Sequence, residues 1–146
     1  MCFPGSTADV VALVRLAAQH HVALVPRGAG TGLSGGAVAV DGALTVVFTA
    51  MNRILEIDTA NLTATVQPGV INADLGRAAA AHGLLYPPDP ASFEMCTIGG
   101  NLAENSGGLR CVKYGVTRDW VLGLEVVLAS GEVMRTGGKS VKDVAG

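Results

Sequence analysis

Pro26-Arg27-Gly28-Ala29-Gly30-Thr31-Gly32-Leu33-Ser34-Gly35-Gly36 is the stretch of this chain best suited to chemistry. Glycine lacks a Cβ, so it takes positive φ freely and lets the backbone approach a ligand closely, at an entropic cost to folding. Successive backbone amides in such a loop form a concave site for an anion, usually a phosphate or pyrophosphate. A flexible linker would be Ser-rich and polar on both sides. Here the run follows Val22-Ala23-Leu24-Val25 and precedes Ala37-Val38-Ala39-Val40, so both flanks are apolar. Tight turns alone are the competing explanation for these glycines.

A second stretch of the same kind, Thr97-Ile98-Gly99-Gly100-Asn101-Leu102-Ala103-Glu104-Asn105-Ser106-Gly107-Gly108, lies about 70 residues further on. Between them stands Tyr86-Pro87-Pro88-Asp89-Pro90, which fits neither a helix nor a central strand and must be a stiff loop. Other patterns fail on inspection. Gly30-Thr31-Gly32-Leu33-Ser34-Gly35 is a literal GxGxxG after a strand, with Glu56 about 20 residues on. The dinucleotide fold also needs a helix opening at the last glycine, and Gly36 to Gly42 is too short and too Gly-bounded for one. Gly138-Lys139-Ser140 ends like a Walker A loop, but Val133 stands where its first glycine is required. Asn61-Leu62-Thr63 is a glycosylation sequon inside an expected strand and carries no weight. Neither a Ser/His/Asp set nor a spaced pair of carboxylates is readable, so no residue is assigned a catalytic role.

Composition narrows the class. At 146 residues the chain makes one domain or two small subdomains. With 49% hydrophobic and 15% charged residues, much of it should be buried. A net charge of -2 offers no electrostatic footprint for nucleic acid or anionic lipid. Apolar runs fall short of the ~18 residues of a membrane span, and the first residues lack the basic and apolar regions of a signal peptide. Cys2, Cys96 and Cys111 are odd in number and lack CxxC spacing, which argues against a disulfide framework or structural zinc. They read as reduced thiols in a cytoplasmic protein. His20 and His21 are adjacent, point apart on a helix, and read as surface or helix-end residues. No metal site is expected.

Several elements must position the two glycine stretches. Ser6 or Thr7 can cap a helix, with Asp9 in its first turn. Val10, Leu13, Val14 and Ala17 then mark one apolar face ending near His20. Val22–Val25 reads as a buried strand feeding the first glycine stretch. Strands follow over Leu44–Thr49, Ile54–Asp58 and Leu62–Gln67, the last closed by Pro68-Gly69. Asn72 can cap a second helix that runs through Ala78–Ala81 and stops at Gly83. Residues 97–108 hold one short helical turn between loops. Leu122–Leu128 and Glu132–Thr136 flank Ser130-Gly131 as a hairpin with a two-residue turn. Helices and strands do not alternate regularly, so the class is α+β.

Taken together, Pro26–Gly36, Tyr86–Pro90 and Thr97–Arg110 resemble the FAD-binding, PCMH-type domain of the vanillyl-alcohol-oxidase superfamily. Lys113-Tyr114-Gly115 and the strand Val121–Leu128 match as well, so the resemblance covers nearly the whole chain. The branch it is most similar to comprises the glycolate oxidase D-subunits and D-lactate dehydrogenases. Each motif is weak by itself, but five in this order and spacing are specific. The resemblance implies two small α+β subdomains, about 1–60 and about 61–146, with the flavin in the cleft between them. It implies that Pro26, Arg27, Gly28, Ala29, Gly30, Thr31 and Gly32 hold the FAD pyrophosphate, with hydroxyls from Thr31 and Ser34. Thr97, Ile98, Gly99, Gly100, Asn101, Ala103 and Gly108 would approach the phosphates and the isoalloxazine face. Pro88, Asp89 and Ser92 join them, although that Pro-rich loop could simply shape the cleft. For Asn101 and Asn105, helix capping is the alternative.

Some superfamily members attach flavin to a His in the first loop. Thr31 stands at that position, which implies non-covalent FAD. Relatives continue with a further strand and a substrate domain, and begin with a strand that precedes Phe3. The chain therefore resembles a truncated FAD domain, which need not retain FAD and whose exposed apolar surface favours self-association. The implied parent activity is oxidation of a small 2-hydroxy acid of the glycolate or D-lactate type, bound through the missing domain. The alternatives are a non-catalytic flavin- or nucleotide-binding module, and a cell-wall enolpyruvyl-sugar reductase of the same fold. The reductase's second-loop pattern differs from the one here.

Overall fold

A computed structural model describes residues 1–139. Helix α1 spans Thr7–Gln19, and Ser6 caps it by accepting the Asp9 amide on its Oγ. The chain leaves α1 through His21, at φ 54°, with the Val22 amide still bonded to the Ala17 carbonyl. Strand β1 therefore starts at Leu24 and runs to Arg27, two residues later than the apolar pattern predicts. It pairs in parallel with β2, Leu44–Val47, from Leu24↔Leu44 to Arg27↔Val47. Pro26 is tolerated within β1 because that strand has only β2 beside it among the described residues, and an edge strand can spare an amide. On the far side of β2, Cys2 forms a one-residue parallel bridge with Val46.

The expected strand over Leu44–Thr49 ends early. Phe48–Ala50 turns as a 3₁₀ helix instead, closed by the Met51 amide on the Phe48 carbonyl. Strands β3, Ile54–Asp58, and β4, Thr63–Val66, form an antiparallel pair. Helix α2 covers Asn72–Ala80, and Gly83 follows at φ +72°. Its N-cap is Ile71, not Asn72. Asn72 lies one residue inside the helix and is buried, and its amide donates to the Cys96 carbonyl, so it cannot serve as the cap.

Helix α3 is Ile98–Glu104, two turns rather than one, capped by Thr97. A four-residue α4, Cys111–Tyr114, and a 3₁₀ turn, Thr117–Trp120, lead to the last hairpin. Strands β5, Gly123–Val127, and β6, Val133–Gly137, pair antiparallel. Their connection holds three residues between Leu128 and Glu132, not two. Gly131 at φ +78° returns its amide to the Leu128 carbonyl, and Leu128 bonds Glu132. Among the described residues, three two-stranded sheets with four helices make an α+β architecture, as predicted. Among the described residues no helix is long and apolar enough to cross a membrane.

Two apolar regions hold these pieces. Val70, Leu75 and Ile98 form a buried cluster flanked by Ile54, Val66, Tyr86 and Leu102. Burial there pushes the Tyr86 phenol up to about 12. On α1, Val10 and Ala17 are buried, and Val10 shares an apolar recess with Leu13, Val14, Leu24 and Val46. The β5–β6 hairpin returns to α1, where the Thr7 hydroxyl donates to Glu125 at 2.7 Å and Arg15 donates to the Gly131 carbonyl at 3.3 Å.

Candidate functional site

The first glycine stretch leaves β1 at Arg27 and runs without helix or strand to β2. The missing helix after Gly35 removes the dinucleotide-fold reading on structural grounds. The loop is held by its own side chains. Arg27 Nη1 donates to the Ala37 carbonyl at 3.4 Å, and the guanidinium lies against Gly30, which sits at φ +74°. A Cβ at position 30 would be strained by that φ and would overlap Arg27 Nη2.

The second glycine stretch faces the first. A cleft of about 640 Å³ is lined on one side by Pro26–Gly32 and on the other by Thr97, Gly99, Gly100, Asn101 and Ala103. Ser92 lines it too. The two stretches touch. A Cβ on Gly28 would overlap the Thr97 hydroxyl, and Ser34 Oγ donates to Glu104 Oε2 at 2.7 Å. Phe48, Pro68, Pro90, Glu104, Ser106 and Gly107 also line the cleft, and the sequence pattern singles out none of them as ligand-facing. For Phe48 and Pro68 a signal exists in the Pro68-Gly69 pair. A Cβ on Gly69 would overlap the Phe48 carbonyl, so that glycine permits close packing rather than merely ending a strand.

The remaining predicted residues, Ser34, Pro88, Asp89, Ile98 and Gly108, are placed away from the lining. Ser34 is turned to Glu104. Ile98 is buried in the apolar cluster with Val70 and Leu75. Pro88 is buried. Asp89 accepts the Arg110 amide at 3.1 Å and pairs with its guanidinium at 3.3 Å, and Gly108 is pressed against the Asp89 carbonyl.

The two walls differ in what they offer. Among the described residues, no acceptor takes the backbone amides of Gly28, Ala29, Gly30, Thr31 or Gly32. Five consecutive donors without a protein acceptor, in a glycine-rich loop lining a cleft, suit an anion. In the second wall the amides are spent. Ile98 donates to Val70, Gly99 to Pro68, Gly100 to the Thr97 hydroxyl and Asn101 to the Thr97 carbonyl. Its contribution is closeness and one side chain. Asn101 is 1% exposed, and its Nδ2 has no partner among the described residues. Capping does not explain Asn101, whereas it does explain Asn105. That residue ends α3 in the left-handed region at φ +48°, and its Oδ1 accepts the Arg118 amide at 3.0 Å.

Open amides on one wall, a buried orphan amide group on the other and a narrow gap between them fit a nucleotide diphosphate. The fold and this cleft define a flavin-nucleotide domain: the chain belongs to the FAD binding domain family, which it matches over residues 1–137, within the vanillyl-alcohol-oxidase superfamily. FAD is the cofactor of that domain. The chain is 58% identical over 143 residues to the glycolate oxidase subunit GlcD of Bacillus subtilis strain 168, an alignment covering 98% of this chain and 30% of that protein. It is 45% identical over 141 residues to a D-lactate dehydrogenase of Anaerostipes hadrus, covering 97% of this chain and 30% of the other. Among solved structures it is similar to 6-hydroxy-D-nicotine oxidase from Arthrobacter nicotinovorans, with a TM-score of 0.80 and 32% identity, over 91% of this chain and 28% of that one. The chain thus spans about 30% of the length of the curated relatives it matches.

Proposed function

We propose that this chain is the cofactor-holding part of a flavin-dependent oxidoreductase that oxidises a 2-hydroxy acid of the glycolate or D-lactate type. The observation that carries the reading is the row of unpartnered amides from Gly28 to Gly32, set opposite the orphaned Asn101 Nδ2. The amides donate to the diphosphate oxygens, with the Thr31 hydroxyl beside them. Asn101 Nδ2 donates from the opposite wall, where Gly99, Gly100 and Ala103 present little side chain and let the ligand approach closely. Pro26, Arg27, Ala29, Thr97 and Ser92 complete the surround. Ser34, Ile98, Pro88, Asp89 and Gly108 act through the frame, holding the walls at their separation. The cleft draws one wall from residues 1–60 and the other from residues 61–146, in keeping with two subdomains. The bound flavin supplies a hydride acceptor for the substrate α-carbon. No residue of this chain is given a catalytic role; the base that takes the hydroxyl proton and the groups that bind the acid belong to the rest of the protein.

The names of the relatives support the substrate class. Three unpaired thiols suit a cytoplasmic setting. Leu109 and Val112, 96% and 98% exposed, supply apolar surface for self-association.

A spectrum of the purified full-length protein tests this reading, since hydride transfer to flavin needs a chromophore absorbing near ~450 nm. The expected result is flavin bands that bleach on anaerobic addition of glycolate or D-lactate and leave with the supernatant after acid precipitation. Yellow colour retained in the pellet would refute non-covalent attachment, and bands that no 2-hydroxy acid bleaches would refute the substrate class.

A further inference from the structure

Ser106 and Gly107 line the cleft just beyond the end of α3, where no helix or strand holds them. What fixes them is the segment Val116-Thr117-Arg118 lying behind. Thr117, 1% exposed, makes two hydrogen bonds to a single acceptor: its amide donates to the Ser106 carbonyl at 3.0 Å and its hydroxyl donates to the same oxygen at 2.7 Å. The Ser106 amide in turn donates to the Asn101 carbonyl at 2.9 Å. On either side, Val116 Cγ1 would lie 3.2 Å from a Cβ on Gly107, and the Arg118 amide donates to Asn105 Oδ1. The arrangement runs from a buried hydroxyl through one carbonyl to the residue whose Nδ2 is orphaned in the cleft wall.

We propose that Thr117 is a positioning residue for the cleft, fixing the Ser106–Gly107 wall and through it Asn101. The role rests on the cleft being the FAD site. The backbone bond alone sets the distance from Thr117 to Ser106. The hydroxyl adds a second direction, so the carbonyl cannot swing toward the ligand space. A satisfied buried hydrogen bond of this kind constrains geometry as well as stability.

The test compares Thr117→Val, which keeps the shape and removes the hydroxyl, with Thr117→Ser, which keeps it. FAD dissociation constants of the full-length protein are measured by flavin fluorescence at a temperature where circular dichroism shows every variant folded. Hydrogen exchange at the Ser106 amide is measured without FAD. The expected result is about tenfold weaker FAD binding and faster Ser106 exchange in Thr117→Val, with both restored in Thr117→Ser. Unchanged binding and exchange in Thr117→Val would overturn the proposal, as would Thr117→Ser behaving like Thr117→Val. Thr117→Val failing to fold while Thr117→Ser folds and binds normally would also overturn it, by assigning the hydroxyl to stability alone. If the unaltered full-length protein binds no FAD, the cofactor reading fails, and Ser106 exchange still decides whether the brace exists.

Discussion

Gly28→Ala is expected to weaken FAD binding by about a hundredfold while leaving the two halves of the chain folded. The two glycine stretches meet at this position, and the added methyl would occupy the space of the Thr97 hydroxyl. Thr97 cannot step aside cheaply. It is 1% exposed, stiff at χ1, and its Oγ1 accepts the Gly100 amide as the cap of α3. Either the cap is lost, at about 1 kcal/mol, or the loops separate, at the 1–3 kcal/mol typical of overpacking. The larger cost, up to about 3 kcal/mol when the loops separate, falls mainly on the cleft and corresponds to about two orders of magnitude in affinity. Gly76→Ala is the control: it adds the same methyl in the middle of α2, where nothing lies within 4 Å, and should stabilise the helix by up to about 1 kcal/mol. Flavin fluorescence titration and thermal unfolding of both variants check this. Equal affinity of Gly28→Ala and the unaltered chain would show that the two walls need not meet.

Asn101→Leu is expected to move stability and binding in opposite directions. In the FAD-free chain, Asn101 carries a buried Nδ2 without a partner, and a group left in that state costs about 1–3 kcal/mol. Leucine, of similar size, removes the penalty, so the FAD-free chain should melt no lower than the unaltered one. Binding suffers instead. A hydrogen bond to a charged oxygen contributes about 1.5–3 kcal/mol, so its loss should lower FAD affinity roughly 10- to 100-fold. Unfolding followed with and without saturating FAD checks both halves. A variant that binds normally would reassign the orphaned donor to an internal water.

Much of the site was legible in the sequence because glycine density is a backbone signal, readable without knowing the fold. Arg27 through Gly32, and Gly99 through Asn101, stand out by type alone and end up on facing walls. Both ends of α1 were legible too, the start through the Ser6 cap and the finish through the spacing of its apolar residues. What stayed hidden depends on contacts distant in the chain. Asn72 has the chemistry of an N-cap, but its amide is drawn to Cys96 and its side chain is buried one residue inside the helix. Pro26 reads as loop and is strand, because an edge position forgives its missing donor. Ile98 lies in the second glycine stretch yet turns inward, since the first residue of α3 completes the cluster with Val70 and Leu75. Glu104 and Ser106 lie in the second glycine stretch but carry no signal of their own, and Thr117 has none. Their roles exist only once α3, the first loop and the 3₁₀ turn are brought together.

The central claim is that residues 27–32 and 97–101 close on one diphosphate. Backbone amide resonances of ¹⁵N-labelled protein, followed as FAD is added, test it most directly. Both segments should shift along a single saturation curve, with the Asn101 side-chain NH₂ moving with them and β3–β4 unaffected. Shifts confined to one segment, or two segments saturating at different FAD concentrations, would contradict it.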